Sequence, residues 1–354
     1  MDLGIAGRRD RHRLAEHDRT ASGCSRSGMR QLAALAAMAV LGLTAGCSAG
    51  EVGDATDPAD RVTLAGAQRT VKVGVLRQPH LSHPLFYDRF LPTNVKMEIV
   101  PFANSTEIKN AVVSGDLAFG VTGITAALQG ASKNEPVVAV AAAADGGSAI
   151  VAGKDTGIRT VADLKGKKIG YVPASAQDIL LRLTLKDAGL DPAKDVQLIN
   201  VQFADMAPAL ARGDIDAFSG AETGPSEALV RGAVLVKKPY DTKMGKINIV
   251  LATSRSLIEK DPDLVQAMVA VHAKATDYMK ANVDAWSQKV VDRYGYSEKS
   301  LERAVTNIDL RWQMDDAYLA QAKVLGQQQL ALDQIQKEPD YDRFIDMTFV
   351  KKVR

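Results

Sequence analysis

SGDLAFGVTG, residues 114–123, and RGDIDAFSGA, residues 212–221, are one pattern written twice. Each reads as a helix end, a Gly-Asp step, an apolar strand and a closing run of small residues. The helix end needs a residue free to take positive φ, hence Gly115 and Gly213. The strand closes on small residues where backbone must pass close to another element. A unit that recurs about a hundred residues later predicts two α/β lobes made of matching parts.

The flanking sequence extends the pattern in both directions. VKVGVL (71–76) and VKMEIVPF (95–102) alternate and are rich in β-formers, so they read as strands. NSTEIKNAVVSG (104–115) reads as a helix capped by Asn104 or Ser105, with Glu107 in its first turn and Gly115 as its stop. ITAALQGA opens a second helix, and PVVAVAAAA (136–144) and SAIVAGK (148–154) are further strands. The second set begins at KKIGYV (167–172). It continues through the helix AQDILLRLTLKDAG (176–189), the strand VQLINVQF (196–203) and the helix ADMAPALARG (204–213). This alternation argues for mainly parallel sheets covered by helices. INIVLATS (247–254) echoes the strand SAIVAGK, and everything from Ser256 onward reads as helical. The expected boundaries are lobe 1 at 71–153 plus 246–354 and lobe 2 at 154–245. The chain then crosses between lobes twice, near 150–156 and 243–250. Two crossings make a hinge, and a ligand belongs between the lobes at the strand carboxyl ends.

Charge and composition narrow the function. Apolar residues are 46% and charged residues 24% of the 354, enough for a packed core. Residues 1–30 carry seven arginines against four acids, a net of +3. The whole chain carries +2, so the remainder is about −1 and has no basic field for nucleic acid. GxxxxGK[ST] and GxGxxG motifs are absent, so nucleotide hydrolysis is not this chain's own work, and no nucleophile–base–orienter set is readable. No cofactor is expected.

MRQLAALAAMAVLGLTAGCSAG, from Met29, has a short basic start and an uncharged apolar run at Leu32–Leu43, too short to span a bilayer. It ends in LTAGC and resembles a bacterial lipobox, which implies cleavage before Cys47 and lipid on that residue. Thr44, rather than Leu, stands three residues before the cysteine. Residues 1–46 are therefore expected to be leader and signal peptide, with Met29 the true start, and 47–70 a flexible tether. Cys24 then drops out, and Cys47 alone leaves no internal disulfide.

DTGIRTVADLKGKKIGYVPAS (155–175), the helix after it, AGLDPAKDVQLINVQFADMAPALARGDIDAF and SGDLAFGVTGITAALQ together resemble the nitrate/sulfonate/taurine class of substrate-binding proteins of ABC importers. LIEKDPDLVQAMVAVHAKATDYMKAN fits the same family, so the resemblance spans roughly 70–350. It implies a two-lobed periplasmic-binding-protein fold of the second type, α/β, with two hinge crossings and a helical C-terminal region packed on lobe 1. It implies a monomeric, lipid-anchored receptor on the outer face of the bacterial membrane. Such a receptor hands a small anion or zwitterion to a permease and, through it, to the ATPase subunit. Two departures stand out. Ala174-Ser175-Ala176-Gln177-Asp178 replaces the usual Gly/Ser/His-containing helix start, and AETGPSEAL lacks the aromatic of the family's Trp-Glu-Pro segment. The solute is therefore open: sulfonate, taurine, nitrate or bicarbonate, or a pyrimidine precursor of thiamine. A eukaryotic pyrimidine synthase shares the fold class, but that resemblance requires a cysteine-rich motif which is lacking here.

Three loops are expected to line the cleft. RQPHLSHP (77–84) brings Gln78, His80 and His83. VTGITAA (121–127) brings Thr122, Gly123 and Thr125 to a helix N-terminus, and VPASAQD (172–178) brings Ser175 and Gln177 to another. First-turn N–H groups and the helix dipole favour an anion at such sites. The bland alternative is that Ser175 and Thr122 cap only their own helices. His80 and His83 lie three apart without a third ligand, so solute hydrogen bonding or a surface role is expected rather than a metal. Arg77 is a candidate partner for a sulfonate, Glu222 for an ammonium, and Asp205 for a helix cap.

Overall fold

The computed structural model describes residues 60–353. The leader and signal at 1–46, Cys47 and the stretch 48–59 lie outside the described residues.

The first lobe opens with β1 (Arg69–Val75), β2 (Val95–Pro101), α1 (Ser105–Ser114), β3 (Phe119–Gly123), α2 (Ile124–Ser132) and β4 (Val137–Gly146). The chain crosses and builds β5 (Ser148–Ala152), β6 (Lys168–Tyr171), α3 (Ala176–Asp187), β7 (Gln197–Asn200), α4 (Phe203–Arg212), β8 (Ala217–Ala221), α5 (Gly224–Val230) and β9 (Val234–Lys237). It returns through β10 (Ile247–Ser254) and then α6 (Arg255–Lys260), α7 (Pro262–Ala281), α8 (Val283–Tyr294) and α9 (Glu298–Val305). The last elements are β11 (Ile308–Leu310), α10 (Asp316–Ala331) and α11 (Tyr341–Phe344). The recurring pattern folds as expected. Asn104 caps α1 by accepting from Glu107 N, and Gly115 and Gly213 close α1 and α4 at φ +86° and +78°.

The strands form a six-stranded sheet, β11-β4-β10-β3-β1-β2, and a five-stranded sheet, β7-β6-β8-β5-β9. β1 runs parallel to β2 and β3, and β6 parallel to β7 and β8. β10 is antiparallel to β3 and β4, and β5 is antiparallel to β8 and β9. The sheets are therefore mixed rather than mainly parallel. Strands that carry the chain from one sheet straight to the other run against the strand–helix–strand units around them.

Three further expectations change. The first crossing lies at Gly146-Gly147, both at positive φ, and β5 already pairs in the second sheet, so that sheet begins at Ser148 rather than after 153. The tether ends earlier than residue 70: Val62 N donates to Phe90 O at 2.8 Å, and Arg61 Nη1 donates to Leu91 O at 2.9 Å. The C-terminal region is not wholly helical, because Ile308–Leu310 adds an edge strand to β4. Three residues are too few to show alternation.

One large core joins the first sheet to α7, α10 and the C-terminal segment. α7 buries Leu264, Val265, Met268, Val271 and Ala275, an i, i+3, i+4 stripe that explains its place on lobe 1. Lobe 2 has two smaller cores on the two faces of its sheet, centred on Phe218 and Ile169.

Candidate functional site

A cavity of about 380 Å³ lies between the lobes, at the carboxyl ends of the strands. Helix starts wall it. Asn104–Glu107 open α1, and Gly123 and Thr125 open α2, both from lobe 1. Ser175–Gln177 open α3, and Gln202 and Phe203 open α4, both from lobe 2. First-turn amides have no acceptor inside their own helix, so each start presents N–H groups and the positive dipole end to the cavity. Several of these amides are already occupied: Asn104 Oδ1 accepts from Glu107 N at 3.0 Å, Ser105 Oγ accepts from Gly123 N at 3.0 Å, and Ser175 Oγ accepts from Asp178 N at 3.1 Å. The lining contains no Lys or Arg. Its one carboxylate, Glu107, is exposed and held by Ala103 N at 3.2 Å and Asn104 Nδ2 at 2.9 Å.

Of the expected residues, Gln78, His80, Gly123, Thr125, Ser175 and Gln177 line this cavity. Gln177 also donates through Nε2 to Ser148 Oγ at 2.9 Å, beside the hinge. Ser175 spends its hydroxyl on the protein, capping α3 and donating to Val172 O at 2.7 Å. Thr122, His83 and Glu222 are not brought to the cavity. Thr122 is fully buried and donates to Ser105 O at 3.1 Å, which ties β3 to α1. His83 is fully buried, its ring 4.8 Å from that of His272. Glu222 is buried on the far side of β8, where Oε1 accepts from Asn307 Nδ2 at 3.0 Å and Oε2 from Ser226 N at 3.3 Å. It borders a separate concavity with Lys238 and Asn307. Its partner comes from the α9–β11 turn, far away in the chain, which no local reading finds. Arg77 also lies outside the lining, and Asp205 sits in the first turn of α4 without capping it.

Asn104, Ser105, Asn200, Gln202 and Asn248 are lining residues that sequence reasoning missed. For Asn104 and Ser105 a signal existed. The cap of α1 was legible, and a helix following a strand starts at that strand's carboxyl end, where the cleft lies. Asn248 on the returning β10 had no such signal.

Burial dominates the electrostatics. It pushes His80 down to about 3 and His272 to about 4, and holds His83 well below the ordinary value, with His272 and His80 adding to the effect. All three rings are neutral near pH 7. No group of three metal-ligating residues occurs among the described residues. Burial raises Glu222, against the lowering effect of Ser226 and Asn307. A folded carboxyl above the ordinary 4.5 binds more protons than the unfolded one, so stability falls as pH rises through that window. Glu222→Gln is therefore expected to melt progressively higher, relative to the native chain, as pH rises from 4.5 to 7. Melting curves that stay parallel over that range would contradict the assignment.

Three side-chain amides of lobe 1 reach lobe 2. Gln129 Nε2 donates to Ala174 O at 3.3 Å, Gln334 Nε2 to Asp178 Oδ2 at 2.9 Å, and Asn307 Nδ2 to Glu222. The lobes thus meet on both flanks of the cavity.

Residues 90–285 match the family model described as NMT1/THI5 like. The chain is 28% identical over 196 residues to "Putative aliphatic sulfonates-binding protein" of Escherichia coli (strain K12), covering 55% of this chain and 60% of that protein. It is 26% identical over 272 residues to a Bacillus subtilis (strain 168) protein of the same name, covering 75% of this chain and 81% of that one. The match thus spans little more than half of the first of these relatives. A weaker relative, 25% identical over 220 residues, is the 4-amino-5-hydroxymethyl-2-methylpyrimidine phosphate synthase of Schizosaccharomyces pombe, covering 58% of this chain and 62% of that enzyme. Among solved structures, the alkanesulfonate-binding protein of Xanthomonas axonopodis pv. citri bound to MOPS superposes with a TM-score of 0.71 at 19% identity. The superposition covers 80% of this chain and 100% of that one, which shows the two-lobed fold.

Proposed function

The chain belongs to the NMT1/THI5-like family, and from that membership and the geometry of the cleft we propose that it is the solute-binding subunit of an ABC importer. In this reading it is a monomer, anchored through lipid on Cys47 to the outer face of a bacterial membrane. It captures a small sulfonate, taurine or nitrate-like anion or zwitterion between its lobes and delivers it to the permease. The observation that carries the reading is the convergence of first turns from both lobes on one cavity. An anionic group placed there gains from α1 and α2 on one side and α3 on the other. It therefore favours the closed arrangement, and a solute shifts the lobes only through such differential contact. The described residues contain no helix long and apolar enough to cross a membrane.

The lining also favours a second solute for the same role. Gln78, Asn104, Gln177, Asn200, Gln202 and Asn248 give six primary amides and no cation. Paired donors and acceptors of this kind suit an aminopyrimidine or another neutral heterocycle.

A thermal-shift series on residues 48–354 tests the reading. At 100 times its Kd, a solute that binds only the native state adds about 2.7 kcal/mol, a rise of several degrees in Tm. Such a rise is expected with one class among alkanesulfonates, taurine, nitrate and aminopyrimidines. A flat response to all of them would overturn the reading.

A further inference from the structure

The inner cavity does not end at Phe203. A second chamber, of about 510 Å³, continues past it and shares Leu76, Gln78, Gln202, Phe203 and Ala221 as common wall. Its character differs from that of the first. Phe102, Phe203, Tyr294 and Tyr296 line it, four of the chain's 18 aromatic residues, whereas Phe203 is the one aromatic Phe, Tyr or Trp side chain on the inner cavity. Phe102, Phe203, Tyr294 and Tyr296 are each half-buried, so their rings are packed yet keep surface. Tyr294 and Tyr296 stand edge to face, with centroids 6.3 Å apart, and the Tyr296 hydroxyl donates to Arg77 O, which fixes the pair to the loop after β1. Phe102, Tyr294 and Tyr296 belong to lobe 1 and Phe203 to lobe 2, so both lobes contribute aromatic wall to this chamber.

We propose that the cleft takes a two-part solute, with a compact polar head in the inner cavity joined to an aromatic ring that lies between the aromatic walls of the outer chamber. The proposal rests on the receptor reading and deepens it by naming the class. A nitrate or taurine molecule fills only part of the inner cavity and leaves the outer one to water. A ring held between Phe203 of one lobe and Tyr294 of the other adds apolar and edge-to-face contact on both sides, and so favours closure in addition to the head group. Arg77, exposed and without an ion pair among the described residues, borders this chamber together with Asp205 and Glu227, so polar substituents at the far end of the ring meet charge rather than apolar wall.

The test is isothermal titration of residues 48–354 with matched pairs: methanesulfonate against 2-naphthalenesulfonate, acetate against 2-naphthoate, and 4-aminopyrimidine against a 4-amino-5-phenylpyrimidine. In the series whose head binds, the aryl member is expected to bind at least tenfold tighter than its small partner. Tyr294→Ala and the milder Tyr294→Leu, at a residue that lines the outer chamber and not the inner one, are expected to remove most of that advantage while the small partner stays within about threefold. Equal affinity within a pair, or variants that weaken both members alike, would overturn the two-part solute and leave the receptor reading standing. Absence of binding by all six compounds would overturn the receptor reading and the proposal together.

Discussion

Gly120→Val is expected to lower stability by about 3 kcal/mol or more and to abolish solute binding, because it pushes α1 off the sheet. β1 and β3 pair with Gly74 opposite Gly120. A Cβ at Gly120 falls 2.4 Å from Ile108 Cγ2 and 3.2 Å from Val112 Cγ2, and one at Gly74 falls 2.5 Å from Leu117 Cδ1. Ile108 and Val112 are fully buried on α1, so the collision has no room to relax into. Packed interiors transmit such strain rather than absorb it. The helix must lift, and its first turn, which walls the cavity, lifts with it. A double-mutant cycle separates this from general damage. Gly120→Ala combined with Ile108→Ala removes the clashing Cγ2, so the pair is expected to be less destabilised than the sum of the two single changes. Simple additivity would show that α1 does not sit where these contacts put it.

Acidification from pH 7 to pH 5 is expected to remove several kcal/mol of stability through His80, His83 and His272. Each ring is buried and its folded pKa is depressed, to about 3 for His80 and about 4 for His272. The unfolded chain then binds more protons in this window, so stability rises with pH. The contribution is complete above the ordinary 6.5 and is lost as pH falls towards the folded values. Between 6.5 and 5, His80 and His272 each account for roughly 2 kcal/mol at 1.36 kcal/mol per unit, and His83, also depressed by burial, acts in the same direction. The structure shows why the rings stay neutral. His272 is held between Tyr87 Oη at 2.7 Å and Ala142 O at 2.7 Å, with the His83 ring tilted 38° to it at 4.8 Å, and among the described residues no carboxylate hydrogen-bonds any of the three. Burial raises Asp145, Asp178 and Glu222, and these groups act with the opposite sign, so the decisive quantity is a difference between variants. The drop in Tm from pH 7 to pH 5 is expected to shrink in His80→Gln, and further in a His80→Gln, His83→Leu double variant. An unchanged drop in both would mean that the rings are protonated in the folded state.

His83 and Glu222 show where local reading stops. His83 follows β1 by a few residues and looked like a neighbour of His80, but a 3-10 turn over His83–Arg89 rotates it into the core beside α7. Glu222 directly follows β8, yet α5 and the α9–β11 turn capture its carboxylate before it reaches the cleft. Ser175 and Gln177 flank Ala176, where the sequence predicts the helix 176–189 to start, and both line the cavity.

The sequence by itself determined the parts and their order: two strand–helix units closed by Gly115 and Gly213, the cap of α1 and the returning β10. These are short-range consequences of glycine's access to positive φ, of side-chain caps and of alternating burial, and each is complete within about a dozen residues. Tertiary structure alone decided which side chains reach the cleft. It brought Asn248 and Gln78 to one cavity, Asn307 against Glu222, and Phe203 and Tyr294 to one chamber. Those meetings join segments that are distant in the chain. They depend on the angle at which one lobe faces the other, and packing of the whole molecule sets that angle.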